Sequence, residues 1–421
     1  MNENKEFIKR MPVKITPNPK RVICMPFNDA ENSIQRIYDL VNKLDEKDIK
    51  ESAERIKAEF SWRHRNFEKI ISLRFEHLKH SLPSDCRFSK EREIVFAAYF
   101  LMEYSIEAAA LFNPSIVLHP DQSSAGDGSA RFIMSLRAAG EGHISSIEFM
   151  TGEADSAGNI NLDEVCRFAE TPKLIKTNSI RPDTVEITFD PQTQLCERVV
   201  FPVSADESNG IEDVRFVRFE EAGEITYFGT FTAYDGSQIK SKLIETKDFL
   251  HFKIHTMHGA AIKDKGMALF PRKVNGRYTM ISRQDGDNIR IMFSDDLFTW
   301  DKSDILKEPE LDWEFVKIGN IGSPLETDQG WLLLTHGVGA MRKYVIGACL
   351  LDKENPAKVI AQLKNPLISP NEEEREGYVP NVVYSCGGII HNGILILPYA
   401  MSDSVSGFAS GEVSEILKKM Q

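Results

Sequence analysis

Two adjacent carboxylates and an arginine stand out in the stretch 210–215, where Glu212 and Asp213 are followed by Arg215. The stretch comes after a loop rich in Ser, Asn and Gly, and it leads into an apolar run that is typical of a strand. Because successive side chains of a strand alternate between its faces, we expect Asp213 and Arg215 to share one face and Glu212 to lie on the other. Such a pair is either a structural ion pair or part of an acid–base site, and this stretch alone does not decide between them.

Cationic side chains recur at the ends of apolar β-type runs elsewhere in the chain. Arg137 ends one such run, and Lys265, Arg283 and His336 stand at the ends of others or just outside them. Singly, a strand-end arginine is usually half of an ion pair, and a histidine in an apolar strand is usually a satisfied core residue. Together, these residues predict an electropositive focus, which is what recognition of a phosphate or carboxylate group requires.

Composition and motifs exclude several classes of protein. The chain has 421 residues, 42% of them hydrophobic and 27% charged, as in a globular protein. Its net charge of −12 argues against a broad nucleic-acid surface. We find no run near the roughly 20 apolar residues of a membrane span, no secretory signal in Met1–Arg10, and no nucleotide-binding glycine motif. The six cysteines are scattered, so we expect reduced thiols, no zinc site and a cytoplasmic location.

The chain divides into a helical segment and a longer β segment. After an extended arm over residues 1–20, apolar residues recur at three- to four-residue spacing from about Asp29 to Leu111, which predicts helices, the last over 91–112. From Asn113 onward, short β-type runs alternate with turns such as Asn275-Gly276 and Asn392-Gly393. We therefore predict an N-terminal α-helical extension over residues 1–110 and a mainly β domain over 111–421.

A weak repeat indicates how the β segment is arranged. Thr246-Lys-Asp-Phe-Leu-His-Phe252 matches Ser294-Asp-Asp-Leu-Phe-Thr-Trp300, about 50 residues further on, and each follows a β-type run. A repeat of that length built from several strands is typical of a β-propeller blade, and the segment is long enough for roughly five or six blades. Propellers gather their ligand sites at the central channel, so the polar residues at strand ends are the ones of interest.

A series of short motifs then resembles glycoside hydrolase family 130. In chain order they are Asn113-Pro-Ser, Ser135-Leu-Arg-Ala, Gly210-Ile-Glu-Asp-Val-Arg, Thr232-Ala-Tyr-Asp, Ala268-Leu-Phe-Pro-Arg-Lys, Ser294-Asp-Asp-Leu, Ile321-Gly-Ser-Pro, Gly330-Trp-Leu-Leu-Leu-Thr-His-Gly-Val, Gly347-Ala-Cys-Leu-Leu-Asp and Val379-Pro-Asn-Val-Val. The resemblance implies a five-bladed β-propeller that acts as a β-mannoside phosphorylase or β-mannosidase. Residues 1–110 lie outside it and look like an added region that supports oligomerisation, so we expect a homo-oligomer.

The resemblance also implies roles for individual residues. Asp213 corresponds to the family's general acid, which protonates the glycosidic oxygen through a sugar hydroxyl. Positions that hold phosphate in phosphorylase members correspond to Arg137, Lys265, Arg283, His336 and Tyr344. Positions that contact the sugar correspond to Asn113, Asn381 and Asp403, and Arg215 is grouped with them as a residue that orients the site. Inorganic phosphate is the implied co-substrate, with no metal ion and no other cofactor.

Some positions depart from the family's pattern. Val214 replaces the usual proline, Arg283 sits in Ser-Arg-Gln rather than His-Arg-Pro, and Lys265 stands where other members carry arginine. The acceptor sugar and the linkage therefore stay open. Burial should raise the pKa of Asp213 and the charge of Arg215 should lower it, and the sequence does not rank these two effects.

The number of carboxylates favours phosphorolysis over hydrolysis. An inverting hydrolase needs an acid and a base, whereas an inverting phosphorylase needs only the acid because the phosphate is itself the nucleophile. We therefore expect an inverting phosphorylase that cleaves a manno-oligosaccharide or mannosyl-glucose to α-mannose 1-phosphate. Two alternatives remain: a hydrolase with Glu141, Glu326 or Glu374 as its base, and a non-catalytic propeller that binds glycans or proteins.

Overall fold

A computed structural model describes residues 8–84, 86–175, 181 and 183–421, and its architecture is mainly β. The α-helices in these residues are α1 Asn28–Glu31, α2 Ile34–Lys43, α3 Glu46–Phe60, α4 Phe67–Leu78, α5 Lys90–Ala98 and α6 Val413–Lys418. The strands of the first half are β1 Lys9–Ile15, β2 Val22–Pro26, β3 Leu101–Ser105, β4 Ala110–Leu118, β5 Ala130–Ala139, β6 Ser145–Ala154, β7 Ile160–Leu162, β8 Lys173–Ile175, β9 Thr184–Thr188, β10 Val199–Val200, β11 Gly210–Glu221 and β12 Glu224–Tyr234. Those of the second half are β13 Ile239–Thr246, β14 His251–Thr256, β15 Ala268–Leu269, β16 Tyr278–Ser282, β17 Ile289–Ser294, β18 Asp304–Lys307, β19 Lys317–Asn320, β20 Leu325–Glu326, β21 Trp331–Val338, β22 Tyr344–Leu351, β23 Val359–Gln362, β24 Val383–Tyr384, β25 Ile389–His391, β26 Ile394–Met401 and β27 Val405–Glu412. The mainly β class is thus confirmed, while the first seven residues of the expected arm lie outside the described part of the chain.

Helices α1–α5 form one group with its own apolar core. Asp45 caps α3 by accepting a hydrogen bond from the backbone N–H of Asp48 at 2.8 Å, and Ser89 caps α5 in the same way. The apolar faces of α3, α4 and α5 meet around Ile49, Phe75 and other buried side chains. The predicted helical segment is therefore confirmed as far as Ala98.

The prediction of a helix over 91–112 is wrong beyond that residue. The chain instead forms β3, which pairs with β2, and β4, which pairs with β5. The alanine-rich run before Phe112 fits a buried helix and a buried strand equally well, since periodicity does not separate the two. Pairing with β5 decides the outcome because it satisfies the backbone of β4, which is buried along nearly its whole length.

The strands pair into five sheets among the described residues. One has eleven strands in the order β4-β5-β6-β11-β12-β13-β14-β9-β8, with β7 and β10 on β6. The others are β15-β16-β17-β18, then β19-β21-β22-β23 with β20 on β21, then β1-β27-β26-β24 with β25 on β26, and the pair β2-β3. Neighbouring strands run antiparallel except at the join of β6 to β11, where Ser145 and Gly210 form one parallel pair. The arrangement as five blades stays a prediction at this point.

The repeat and the turns read from the sequence lie where strands end. Thr246 ends β13 and Ser294 ends β17, which are matching strands of two successive sheets, and the aromatic residues that close the two motifs, Phe252 and Trp300, are buried. At the turn 275–276 both residues have positive φ, 51° and 78°, as a tight hairpin of Asn-Gly type requires. The expected turn at 392–393 likewise joins β25 to β26.

Strand β1 completes the last sheet of the β region although it lies within the predicted range 1–110. It pairs with β27, with Lys9 opposite Ser410. Arg10 donates from Nε to Oε1 of Glu374 at 2.8 Å, and the hydroxyl of Tyr399 donates to the same oxygen at 2.6 Å. Burial alone raises the pKa of Glu374, but these hydrogen bonds outweigh it and hold the pKa below its usual value. The Glu374 carboxylate thus connects Arg10 of β1 with Tyr399 of β26.

The cysteines differ from the expectation in one respect. Cys166 and Cys196 are joined by a disulfide, with Cα atoms 5.5 Å apart, so the prediction of six reduced thiols is wrong for this pair. Cys24, Cys349 and Cys386 are free thiols. Within the described ranges, no helix has the length and apolar character to cross a membrane, and no three His, Cys, Asp or Glu side chains are grouped to hold a metal ion.

Candidate active site

Four sheets contribute the residues that the sequence singled out. The eleven-stranded sheet supplies Asn113 from β4, Arg137 from β5, and Asp213 and Arg215 from β11. Lys265 and Arg283 flank the short β15–β16 hairpin, His336 and Tyr344 lie on β21 and β22, and Asn381 and Asp403 flank β24 and β27. Contacts described below connect these residues into one region.

Two β-bulges shape the acidic end of this region. The register of β4 against β5 shifts between Phe112 and Ser115, and that of β11 against β12 shifts between Glu212 and Arg215. Asn113 and Asp213 sit inside these irregularities with positive φ, 49° and 54°, a conformation that Asn and Asp adopt more readily than other side chains. The amide Nδ2 of Asn113 donates to Oδ1 of Asp213 at 2.7 Å, so the two bulges meet.

The bulge on β11 overturns the expected faces of the two carboxylates. Because Asp213 lies in the bulge, simple alternation fails, and both carboxylates reach the same guanidinium. Arg137 donates from Nη2 to Oε1 of Glu212 at 2.8 Å and from Nη1 to Oδ1 of Asp213 at 3.3 Å. Nζ of Lys265 lies 3.7 Å from Oε2 of Glu212. Glu212 is therefore part of the site, not a residue on the opposite face.

Arg137 is held in place by its own neighbours. Its Nε donates to the hydroxyl of Ser145 at 2.9 Å, and its guanidinium lies over the ring of Phe112, 5.0 Å from the centroid. These contacts fix the guanidinium plane between the two carboxylates, with the side chain 19% exposed. The Arg137 charge is thus positioned before any ligand arrives.

Arg215 orients the site through the backbone. Its three nitrogens donate to the carbonyl oxygen of Ile321 at 3.0 Å, to the carbonyl oxygen of Asp213 at 3.0 Å, and to the hydroxyl of Tyr384 at 2.7 Å. The Asp213 carboxylate is hydrogen-bonded by Arg137, and Arg215 acts on it through its charge and not through a side-chain hydrogen bond. Arg215 is 3% exposed, in keeping with a supporting role.

Asp213 is ionised in the ligand-free site. Burial alone raises the pKa of this carboxyl, but the charges of Arg137, Arg215 and Lys265 and the hydrogen bond from Asn113 outweigh burial and lower the pKa. The favourable charges and the hydrogen bond together therefore exceed the effect of burial, and Arg137 lowers the pKa of Asp213 more than Arg215 does.

A second group of polar side chains surrounds His336. Arg283 donates from Nη1 to Nε2 of His336 at 3.1 Å. The imidazole stacks on Tyr344, with ring centroids 6.0 Å apart, and meets Tyr384 edge-on at 5.1 Å. Since Tyr384 also bonds Arg215, this group is connected to Asp213 through two residues.

The protonation of His336 follows from its surroundings. A guanidinium only donates hydrogen bonds, so Nε2 is the acceptor and the proton of a neutral ring lies on Nδ1. Burial lowers the pKa of His336 well below its usual value, and the positive charges of Arg283 and Arg215 lower it further. The ring is therefore neutral and presents one N–H donor on Nδ1.

Several buried polar atoms in this region lack a hydrogen-bond partner among the described residues. They are Nδ1 of His336, Nε of Arg283, Oδ1 of Asn113 and both polar side-chain atoms of Asn320. The nearest carboxylate to Nε of Arg283 belongs to Asp264, at 4.0 Å. Buried donors and acceptors are rarely left unpaired in proteins, so this set indicates a place where a polar ligand binds.

The residues expected on the sugar side lie near both groups. Asn381 accepts a hydrogen bond from Arg375 at 2.7 Å, and its carbonyl oxygen accepts from the backbone N–H of Tyr344 at 3.0 Å. Asp403 lies in the hairpin between β26 and β27, and burial, with the nearby charge of Asp213, raises its pKa to about 6. Asp403 is thus a second carboxyl near Asp213.

The bases weighed for a hydrolase lie elsewhere. Glu374 is bound to Arg10 and Tyr399, and Glu326 is paired with Arg272 at 2.7 Å. Glu141 is exposed in a short helical turn after β5. The sequence reasoning missed Asp403 in this role and gave it only as a position that contacts the sugar. It also missed Tyr384 and Asn320, because neither residue type is unusual in or beside a strand.

Comparison with known proteins identifies the family. A family model described as beta-1,4-mannooligosaccharide phosphorylase matches residues 179–421, more than half of the chain. A 1,2-beta-oligomannan phosphorylase from a Thermoanaerobacter species is 35% identical over 223 residues, which cover 51% of this chain and 74% of that protein. A beta-1,4-mannooligosaccharide phosphorylase from Ruminococcus albus is 33% identical over 161 residues, or 35% of this chain and 48% of that protein.

A solved structure agrees on the fold. The beta-1,2-mannobiose phosphorylase from Listeria innocua, in complex with beta-1,2-mannobiose, superimposes with a TM-score of 0.52 over 75% of this chain and 92% of that one, at 20% identity. The chain belongs to glycoside hydrolase family 130 and is an enzyme of the glycoside phosphorylase class. The alternative of a non-catalytic propeller disagrees with this assignment.

Proposed function

We propose that the chain is an inverting phosphorylase that cleaves a β-mannoside with inorganic phosphate to give α-mannose 1-phosphate. The observation that carries the proposal is the juxtaposition of one buried acid, Asp213, with a group of buried donors that have no partner in the described structure. Arg283 and His336 supply two of these donors. A phosphate group accepts such hydrogen bonds and is the nucleophile at the same time.

The proposed step balances with one acid. A phosphate oxygen forms a bond to the anomeric carbon while the bond from that carbon to the glycosidic oxygen breaks on the opposite face. The proton of Asp213 reaches the departing oxygen through a sugar hydroxyl. The proton that hydrogen phosphate brought with it leaves the sugar phosphate and restores the acid, so no second catalytic carboxyl is required.

The depressed pKa of Asp213 couples the acid to phosphate. In the free site the cations around Asp213 keep it ionised, and an ionised carboxylate donates no proton. A bound phosphate dianion offsets the charges of Arg137 and Lys265 and raises the pKa of the acid. On this proposal phosphate activates the residue that it needs, and water in its place does not.

Product analysis with and without phosphate tests the proposed function. We expect cleavage of manno-oligosaccharides and mannosyl-glucose only when phosphate is present, with α-mannose 1-phosphate identified by ³¹P and ¹H NMR. Release of free mannose at an equal rate without phosphate would contradict phosphorolysis. The same screen over β-1,2- and β-1,4-linked substrates identifies the linkage and the acceptor.

Hydrolysis within the same family is the second candidate, and Asp403 is the observation that favours it. With a pKa of about 6 this carboxyl is mostly ionised at neutral pH and lies beside the acid, where a base for water would stand. A hydrolase predicts phosphate-independent turnover that Asp403→Asn abolishes. A phosphorylase predicts that Asp403→Asn weakens sugar binding while turnover stays dependent on phosphate.

The finer calls on architecture are also proposals. Counting the eleven-stranded sheet as two units, divided at the single parallel pair of Ser145 with Gly210, gives five groups of strands besides the pair β2–β3. This count supports a five-bladed β-propeller over residues 111–421, closed by β1, with α1–α5 and the pair β2–β3 in residues 1–110. An experimental structure tests the count directly.

We also propose that the chain forms a homo-oligomer through its helices, because they carry exposed apolar side chains. Leu40, Trp62 and Leu73 are at least half exposed on α2, after α3 and on α4. Sedimentation of Leu73→Asp is the test, with Ile305→Asp on β18 as a matched exposed control. An oligomeric state that Leu73→Asp leaves unchanged argues against a contact there.

The cytoplasmic location predicted from the sequence is proposed as well, together with the absence of membrane and nucleic-acid partners. Fractionation of the cells with detection of the chain in each fraction checks this. Recovery of the chain outside the cytoplasmic fraction would contradict the location.

A further inference from the structure

Asn320 has no structural partner despite being buried. It ends β19 and is 1% exposed. Neither Nδ2 nor Oδ1 has a hydrogen-bond partner in the part of the chain that the structure describes. Burying an unpaired amide is costly, so a ligand that bonds both ends is the physical explanation to examine.

Two of the other residues with an unpaired donor, Arg283 and His336, lie near Asn320. The position that a Cβ on Gly266 would take lies 3.8 Å from Oδ1 of Asn320 and 4.0 Å from Nε of Arg283, with no heavy atom closer. On the other side, Gly319 lets His336 and Arg283 approach, since a Cβ there would lie 2.4 Å from the imidazole. Asn320 and Arg283 thus both lie at ordinary van der Waals distance from the Cβ position of Gly266, where the glycine leaves room for a ligand atom, and His336 adjoins Arg283.

The unpaired atoms form a set with a distinct composition. Nε of Arg283 is a donor, Nδ1 of His336 is a donor in the neutral ring argued above, and Nδ2 of Asn320 is a donor. Oδ1 of Asn320 is the acceptor of the set. Monohydrogen phosphate has three oxygens that accept hydrogen bonds and one P–OH group that donates one, which matches three donor groups and one acceptor.

We propose that Asn320 is a further phosphate-binding residue, which selects monohydrogen phosphate by donating from Nδ2 to one oxygen and accepting the P–OH proton at Oδ1. The inference rests on the proposed function and names the protonation state and the anion selectivity of its phosphate site. Sulfate has the same shape but carries no proton near neutral pH. Its fourth oxygen would therefore face Oδ1 as one acceptor against another, which is unfavourable.

The first test separates binding of phosphate from binding of sugar. We expect Asn320→Ala to raise the KM for phosphate by about 10- to 100-fold, the loss typical of hydrogen bonds to a charged ligand, with little change in the KM for the mannoside. Asn320→Asp should raise it further because it adds a negative charge beside a dianion. Asn355→Ala, which removes an exposed asparagine side chain, is the control and should match the wild type.

The second test uses sulfate as a competitor and includes the unaltered enzyme. In the wild type we expect the Ki of sulfate to exceed the KM of phosphate at least about tenfold, and in Asn320→Ala we expect that ratio to fall. Because the wild-type measurement needs no variant, it remains decisive if the substituted proteins fail to fold. Thermal unfolding of each variant shows which ones are native.

The outcomes distinguish the inference from the proposed function. If wild-type turnover does not depend on phosphate, the proposed function fails, and the inference fails with it. If turnover depends on phosphate but Asn320→Ala leaves its KM unchanged, or sulfate competes as well as phosphate in the wild type, the inference alone is overturned. If only the KM of the mannoside rises in Asn320→Ala, Asn320 binds the sugar and the phosphate assignment is wrong.

Discussion

A carboxyl that donates a proton must carry one at the pH at which the enzyme works, and the contacts of Asp213 oppose this. Arg137 and Asn113 hydrogen-bond the carboxylate, and Lys265 adds a third favourable group nearby. Their arrangement keeps the acid charged until negative charge arrives. On the proposed function, the contacts that keep Asp213 ionised therefore make its activity as an acid conditional on bound phosphate.

Replacing the acid tests its role directly. We expect Asp213→Asn to lower kcat by about 10²- to 10⁴-fold, the range typical of a general acid, while phosphate and mannoside still bind. Steady-state kinetics and direct binding measurements check this, with Asp328→Asn at an exposed position as the control. Retained turnover in Asp213→Asn would assign the proton transfer to another group, of which Asp403 is the first to examine.

Glu212 provides a pH-dependent test. Its negative charge lies against Arg137 and Lys265 and offsets part of their effect on Asp213. In Glu212→Gln the cations act on Asp213 without that offset, so the pKa of Asp213 falls further. Since the acid is active when protonated, the basic limb of the pH–kcat profile should move to lower pH, by about 1 unit.

The profile is to be measured at saturating phosphate in both enzymes. A basic limb that moves to higher pH would contradict the charge argument. A limb that does not move would show that Asp213 does not limit the rate on that side. Glu220→Gln, at an exposed position further along β11, serves as the control for removal of a strand carboxylate.

At the scale of elements, the bulges and glycines decide where the site residues point. Gly266 has a φ of +89°, and the space beside it is bordered by Asn320 and Arg283. Gly276 has a similar φ of +78° in a hairpin turn, and a Cβ there would meet nothing within 4 Å. The two glycines thus share a backbone conformation and differ in what surrounds them.

Alanine at each glycine separates backbone strain from occupation of the site. Gly266→Ala and Gly276→Ala should each lose about 1–2 kcal/mol of the free energy of unfolding, because both place a Cβ in the left-handed region. Only Gly266→Ala should also raise the KM for phosphate, by about 10-fold, since its methyl group enters the space beside Arg283. Urea unfolding and initial rates check the pair, and an equal KM in both variants would show that this space holds no phosphate.

The sequence predicted the type of each element better than its exact geometry. Runs such as 278–282 and 331–335 become strands because they are short and apolar, pair with a strand on each side and are buried on both faces. The face of Glu212 was predicted wrongly because a bulge depends on the partner strand, which local sequence does not contain. The strand β4 was taken for a helix for a similar reason, since its backbone is satisfied by β5 and not by itself.

The residues of the candidate site were likewise predicted only in part. The family resemblance predicted Asp213, Arg137 and the cations from motif positions, and the structure places them in two groups that are connected through Arg215 and Tyr384. It could not predict Asn320 or Tyr384, because their importance lies in unpaired or shared hydrogen bonds that exist only in three dimensions. A pattern of residue types carries charge and polarity, whereas satisfaction of hydrogen bonds is a property of the packed chain.

At the scale of the whole molecule, β1 links the N-terminal part of the chain to the last sheet. Arg10 bonds both oxygens of Glu374, at 2.8 and 3.0 Å, and removing it leaves a buried carboxylate with less compensation. We expect Arg10→Ala to lower the free energy of unfolding by about 1–3 kcal/mol at neutral pH. Lys9→Ala, on the same strand but exposed, is the control.

The pH dependence gives this prediction a second readout. Because the pKa of Glu374 is depressed in the folded state, its contribution is present above the unfolded pKa and is lost as the pH falls through the folded pKa. The difference between wild type and Arg10→Ala in urea unfolding should therefore shrink on acidification below about pH 4. A difference that grows on acidification would contradict the assignment of this ion pair.

The pairing of β1 with β27 also sets an order in time. Lys9 and its partner Ser410 lie about 400 residues apart, so a ribosome that adds roughly 5–20 residues per second releases β1 about 20–80 s before its partner exists. During that interval β1 is an unpaired strand, and the last sheet lacks one of its edges. A chain whose synthesis stops before β27 therefore keeps β1 exposed to other strands in the cell that pair with an open edge.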